Sequence, residues 1–228
     1  MRMMMVVFLV VVGLVADAAA APRRVILLRH GEKADGYKLT PTGQLRAEAL
    51  GAQFLGRDAA SSLFERGERP AAFLSMTLHT IELIAPTATS WSMPSTSWLA
   101  VPDAEDETQT LNYNQRTREA ARTLFKTRAW NGKTVVVCWE HHHIADDELE
   151  AQFPGEEVTW RQLLHLDRLP PQYRDQVPLT WEGTNFDYFW IITFDRKGRP
   201  LTFESRRQDF TPPYDAVPAN LWGEPEPE

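Results

Sequence analysis

Cysteine is nearly missing from this 228-residue chain: Cys138 is its only one, so no disulfide can form within the molecule and stability must come from a packed core. Cys138 also lies in the apolar run Thr134 to Trp139, where a buried, inert thiol is expected rather than a reactive one. Positive charge is in the minority, with 24 Lys plus Arg against 31 Asp plus Glu and a net charge of -7. No long run of like charge occurs, which argues against a nucleic-acid or anionic-membrane partner. An anionic ligand would approach against the overall field, so its site needs a local cluster of Arg and His. There is also no apolar stretch of the ~20 residues needed to span a bilayer.

The nearest approach to such a stretch is at the start. Arg2 is followed by an apolar run from Met4 to Val15 and then by small residues through Ala21, the pattern of a cleaved secretory signal peptide. Residues 1–21 are therefore expected to be removed, giving a secreted or periplasmic protein without stable membrane association. What remains is long enough for one substantial core. We expect one domain over 22–208, with an irregular, Pro-interrupted cap segment at 153–181. A Pro- and Glu-rich tail over 209–228 orders itself only if it docks through Tyr214 or Trp222. No internal repeat is detectable, and nothing in the sequence reports the oligomeric state.

The rhythm of the chain is strand then helix. Val25 to Leu28 reads as a strand buried on both faces, and Thr40 with Pro41 reads as the cap and first position of a helix running to about Leu63. Ala71 to Leu74 is a second short apolar run, in a stretch where helix and strand compete, and Ser97 to Val101 is a candidate third strand. Leu78 to Ala88 and Glu107 to Ala129 have helical spacing, and Lys133 to Trp139 is the clearest strand. Phe186 to Phe194 and Pro200 to Ser205 form a closing hairpin with Gly198 in the turn. Such alternation predicts an α/β, three-layer sandwich: a mainly parallel, mixed central sheet flanked by helices, with ligand groups at the carboxyl ends of the strands.

Arg29, His30 and Gly31 stand at the end of the first buried strand. A neutral imidazole can attack phosphorus, a guanidinium can hold two phosphoryl oxygens, and glycine admits close backbone approach. The segment Val25 to Lys33, with Leu39 to Gln44 and Ala47 to Gly51, resembles the opening of the histidine phosphatase (phosphoglycerate mutase-like) superfamily. Thr134 to Ile144 resembles that superfamily's later strand, which ends in a second active-site histidine, here His141. With Trp181 to Gly183 and Phe186 to Asp195, the resemblance spans roughly residues 24 to 206. It implies that His30 is transiently phosphorylated while Arg29 and His141 bind the phosphoryl group, without a cofactor or metal. The implied partner is a small phosphorylated or other anionic ligand, and the implied activity is phosphomonoester hydrolysis rather than a mutase reaction.

Two departures from the superfamily pattern accompany the match. His79 falls where a second phosphate-binding arginine is usual; a histidine there makes single contacts and is mostly neutral above a pH of about 6.5, so activity is expected to be weak and tilted toward acid pH. No segment matches a family acid motif. Glu105 and Glu107, in the acidic loop with Asp103 and Asp106, are the best-placed proton donors; Glu32 and Glu140 lie nearer the histidines in sequence, but Glu140 would point away from His141 if both continue a strand. These departures support an alternative reading: a weak or inactive member that uses Arg29, His30 and His141 as an anion-binding surface. A metal reading rests on His141 and His143 sharing a strand face, with nothing to bring His79 or His165 near as further ligands, so phosphate binding is the better account.

Overall fold

The computed structural model describes residues 21–100 and 109–225. Among the described residues six strands form one mixed sheet: β1 (Arg24–Arg29), β2 (Pro70–Ser75), β3 (Ser95–Ser97), β4 (Thr134–Trp139), β5 (Tyr188–Phe194) and β6 (Pro200–Arg207), in the order β3-β2-β4-β1-β5-β6. β1, β2, β3 and β4 pair in parallel, while β5 and β6 are antiparallel to their neighbours. The α/β class with a mainly parallel, mixed sheet is thus what the chain adopts. Every residue of β4 is buried, and successive side chains go to opposite sides. Val135, Val137 and Trp139 enter one core, Val136 and Cys138 the other.

Helices close both faces. α1 (Pro41–Leu50) and α2 (Leu78–Ser90) supply Ala47, Leu50, Leu83 and Ile84 to one core. On the opposite face, α3 (Gln109–Lys126) contributes Ala120, Ala121 and Leu124. Three short helices follow: α4 (Asp147–Gln152), α5 (Trp160–Leu163) and α6 (Pro171–Arg174). Trp160, Leu164, Leu166, Leu169 and Trp181, all from the 153–181 stretch, are buried in the α3-side core. Among the described residues, no helix is long and apolar enough to cross a membrane.

Several boundaries differ from the periodicity. Thr40 caps α1 by accepting from the Gly43 amide with Pro41 at the first position, as read, but the helix passes into a π-helical turn over Gly51–Leu55 and stops there, not at Leu63. Gly56 breaks it, its backbone already extended at φ -74, ψ 167. The third strand is Ser95–Ser97 rather than 97–101: these three residues pair in register with β2, and beyond them the Trp98 and Ala100 amides make only single bonds to the Ser75 and Met76 carbonyls. Leu111 of α3 is exposed. The tail docks through Trp222, whose ring packs 5.3 Å from Trp181 and 5.0 Å from Tyr188, and through buried Val217; Tyr214 is half-buried. Residues 1–20, with the expected leader, and 101–108, with Glu105 and Glu107, lie outside the described residues.

Candidate active site

Strand register builds the site. β1 and β4 run in parallel with Arg29 opposite Trp139, and the His30 amide donates to the Trp139 carbonyl at 3.0 Å. The next residue on each chain, His30 and Glu140, therefore emerges side by side at the carboxyl edge of the sheet. Ligand groups gather at this edge in open α/β sheets.

The His30 imidazole is 3% exposed, and its Nδ1 lies 2.7 Å from the Gly31 carbonyl. A carbonyl only accepts, so Nδ1 carries the proton and the lone pair of the neutral ring sits on Nε2. Around Nε2 stand Arg29 Nη2 at 3.3 Å, His141 Nδ1 at 3.1 Å and a Glu140 carboxylate oxygen at 3.4 Å. Burial, then the charges of Arg29 and Lys33, hold the His30 pKa well below the ordinary histidine value. Burial and Arg29 likewise depress that of His141. Both rings are neutral at physiological pH, the state a nitrogen nucleophile requires.

Arg29 is 2% exposed and is held from behind. Its Nη1 donates to the carbonyls of Glu182 and Gly183 at 3.0 and 2.9 Å and reaches that of Asn185 at 3.4 Å, while its guanidinium lies 4.1 Å from the Phe186 ring centre. One edge is thus spent on the 182–185 turn, and Nη2 faces His30. Phe186 also sets its edge against the His30 ring at 5.9 Å.

The loop after His30 is fixed from the α1 side. The Thr40 amide donates to the Glu32 carbonyl at 2.8 Å, and a Cβ at Gly43 would meet that same oxygen at 2.6 Å, so only glycine lets α1 approach this closely. Buried Arg46 grips the Glu32 carboxylate with Nε and Nη2 at 2.6 to 3.1 Å. Glu32 is therefore a loop anchor, unavailable for proton transfer.

Glu140 is where the sequence reading fails. β4 ends at Trp139, and residues 141–143 form a single 3-10 turn rather than a strand end, so the alternation that would turn Glu140 away from His141 does not apply. The carboxylate is 6% exposed and enters the site, accepting from Lys33 Nζ and from the Thr77 hydroxyl, each at 2.7 Å. Burial pulls its pKa upward; the charge and hydrogen bond of Lys33 and the bond from Thr77 outweigh this and leave it below the usual glutamate value. Thr77 is also the N-cap of α2, whose positive end adds to this anion's surroundings. The turn separates the three histidines too. His143 Nε2 donates to Asn114 Oδ1 at 2.9 Å in the interior, and exposed His142 pairs with Asp146, so His141 and His143 do not share a face.

His79, in the first turn of α2, is 1% exposed and faces the site, with its ring centre 6.4 Å from that of His30. Its Nε2 donates to the Asp35 carbonyl at 2.7 Å, and its buried Nδ1 has no partner among the described residues. His165 lies on another segment, beside Glu157. Residues 29, 30, 79 and 141 are thus brought together as the sequence grouped them. Lys33, Thr77 and Phe186, to which the sequence assigned no role, join them, as does Glu140, which the strand alternation would have turned away from His141. Beside Glu140 opens a cleft of about 290 Å³ lined by Gln109, Tyr113, His142 and Asp146. Burial and the Glu140 charge push the Tyr113 pKa up to about 12. Cys138 is fully buried, and burial with Glu140 raises its thiol pKa well above normal, so it plays no nucleophilic part.

No family model and no curated protein matches this chain. Among solved structures it is similar to that of the protein histidine phosphatase SixA complexed with tungstate, at 13% identity over 81% of this chain and 97% of that one, with a TM-score of 0.39. It is also similar to a structure from Agrobacterium tumefaciens assigned to SixA phosphohistidine phosphatase, at 18% identity over 84% and 99%, with a TM-score of 0.34.

Proposed function

We propose that this protein hydrolyses phosphomonoesters through a phosphohistidine on His30. The observation that carries the reading is the bond from His30 Nδ1 to the Gly31 carbonyl, which leaves the Nε2 lone pair aimed at a point ringed by Arg29, His141 and Glu140. In the first step Nε2 forms a bond to phosphorus as the ester oxygen leaves with a proton carried by Glu140; the proton reaches this carboxylate from a monoanionic phosphate ester on binding. In the second, water attacks phosphorus and gives a proton to Glu140, the N–P bond breaks, and Glu140 passes that proton to the departing phosphate, which restores its carboxylate. Arg29 Nη2 and the His141 ring hold the phosphoryl oxygens, and charge-directed donors of this kind are worth about 2.7 to 4 kcal/mol each in the transition state. His79 takes the second binding position; its Nε2 already donates to the Asp35 carbonyl, so Nδ1 donates to a phosphoryl oxygen only from the imidazolium form. Glu140 is our candidate for the proton work, since it lies beside both the reacting nitrogen and the cleft open to the alcohol, while Glu105 and Glu107 lie outside the described residues. The cleft beside Glu140 gives the departing alcohol a place to sit. The apolar Met4 to Val15 segment supports action outside the cytoplasm, on a small phosphorylated compound.

The test is hydrolysis of an aryl phosphate by purified protein between pH 4 and 8, with acid-labile phosphate trapped on the enzyme after a quench. Turnover and trapped phosphate should vanish together in His30→Ala; turnover that survives this change overturns the assignment. A second reading, anion binding with little catalysis, is favoured by the carbonyls that occupy Arg29 Nη1 and by histidine at position 79. It predicts saturable phosphate binding without His30-dependent turnover.

A further inference from the structure

We infer that His30, Glu140 and His141 also form a preorganised zinc(II) site, in which the ion takes the Nε2 lone pair and excludes phosphoryl transfer. His30 Nε2 lies 3.1 Å from His141 Nδ1 and 3.4 Å from a Glu140 carboxylate oxygen, and the three donor atoms all fall within 4.8 Å of one another. Tetrahedral zinc with bonds of roughly 2.0 to 2.2 Å requires ligand atoms about 3.3 Å apart, so two edges of the coordination polyhedron already exist without an ion. Two imidazoles and one carboxylate with the fourth position open is the donor set of hydrolytic zinc centres.

The groups behind the ligands are those that orient metal-binding side chains. The Gly31 carbonyl holds the His30 tautomer so that Nε2 faces inward, and the Thr77 hydroxyl binds the Glu140 oxygen on the far side from Lys33. This partnership reaches beyond the three ligands. A chance meeting of His and Glu side chains would lack it.

Charge sets the limits on affinity. Lys33 competes for the ligating Glu140 oxygen, but it is one-third exposed and its Nζ can return to water. Arg29 Nη2 must release Nε2, while its Nη1 stays with the 182–185 carbonyls. A dication beside Arg29 therefore favours an anion in the fourth position. On binding, the His141 proton moves from Nδ1 to Nε2, and no net proton is released from the ring. The clause on phosphoryl transfer rests on the proposed function; the coordination does not.

The experiment is calorimetric titration of the chelator-treated full chain with zinc chloride, followed by X-ray absorption at the zinc edge. One equivalent should bind, with two imidazoles in the first shell. Glu140→Gln and His141→Ala should each weaken binding by at least about tenfold, the scale seen even for outer-sphere partners. Lys33→Met should tighten it, by removing the competitor. His165→Ala, which alters a ring on another segment beside Glu157, should leave it unchanged. Absence of saturable binding overturns the inference, as does binding that survives Glu140→Gln but is lost in His165→Ala, or that weakens in Lys33→Met. Circular dichroism confirms folding of each variant, and the Lys33 and His165 changes lie at partly exposed positions. Zinc binding without His30-dependent turnover would sink only the phosphatase reading, and turnover without zinc binding only this one.

Discussion

Replacing Arg46 with Met should unlatch the nucleophile loop and the tail together. The Arg46 side chain is 2% exposed and its Glu32 partner 16%, and besides the two-pronged contact with that carboxylate Arg46 donates to the Pro218 carbonyl at 2.8 Å. Methionine keeps most of the aliphatic volume, so the loss is chiefly of charge and hydrogen bonds. Removing one member of a buried pair strands the other, at about 3 to 5 kcal/mol. For a domain of this size each kcal/mol lowers Tm by roughly 2 to 4 °C, so the melting point should fall by about 6 to 20 °C. Urea denaturation of the wild type, Arg46→Met, Glu32→Gln and the double variant measures the pair directly. The double variant should be less destabilised than the sum of the singles, with a coupling of about 1 to 3 kcal/mol. A single-variant loss below about 1 kcal/mol, the value of an exposed pair, would show that the latch is not desolvated and refute the reasoning. Strict additivity would do the same.

Glu140→Gln should slow hydrolysis of alkyl phosphates by about 10²- to 10⁴-fold while affecting aryl phosphates with good leaving groups far less, since only poor leaving groups need the proton. Equal effects on both would remove Glu140 from proton transfer. His143 is buried, and burial lowers its pKa from 6.5 to about 4 with opposition from Glu140. The folded protein thus binds fewer protons than the unfolded chain between these values, and stability should be fully present above pH 6.5 and lost as pH falls toward 4, by up to roughly 3 kcal/mol. His143→Gln, whose amide can still donate to Asn114, should flatten that part of the profile; an unchanged slope would assign it elsewhere. Trp222→Ala should cost about 2 kcal/mol and expose the tail to limited proteolysis, because a partly buried ring is lost from the Trp181, Tyr188 and Trp190 cluster. Cleavage rates equal to wild type would mean that the tail is held without it.

The sequence by itself determined the main strands and helices, though not their bounds, and half of the site. Val25 to Leu28 reads as a strand buried on both faces, Lys133 to Trp139 as the clearest strand and Thr40 with Pro41 as a helix start, and the residues that follow those strands fall at the sheet's carboxyl edge. These are local properties, set by side-chain period and capping chemistry. Arg29, His30 and His141 were legible for that reason. Glu140 was not, because its direction depends on where β4 stops, and Trp139 ends the strand only through its register with β1 and the tight turn at 141–143. Neither was Lys33 or Thr77 as its partner, nor Phe186 against Arg29: each contact spans a long sequence separation and exists only once the layers have packed. The tail shows the same division. Its composition said that it could not order itself, and the aromatic cluster around Trp181 and the grip of Arg46 on Pro218 decided that it does not have to.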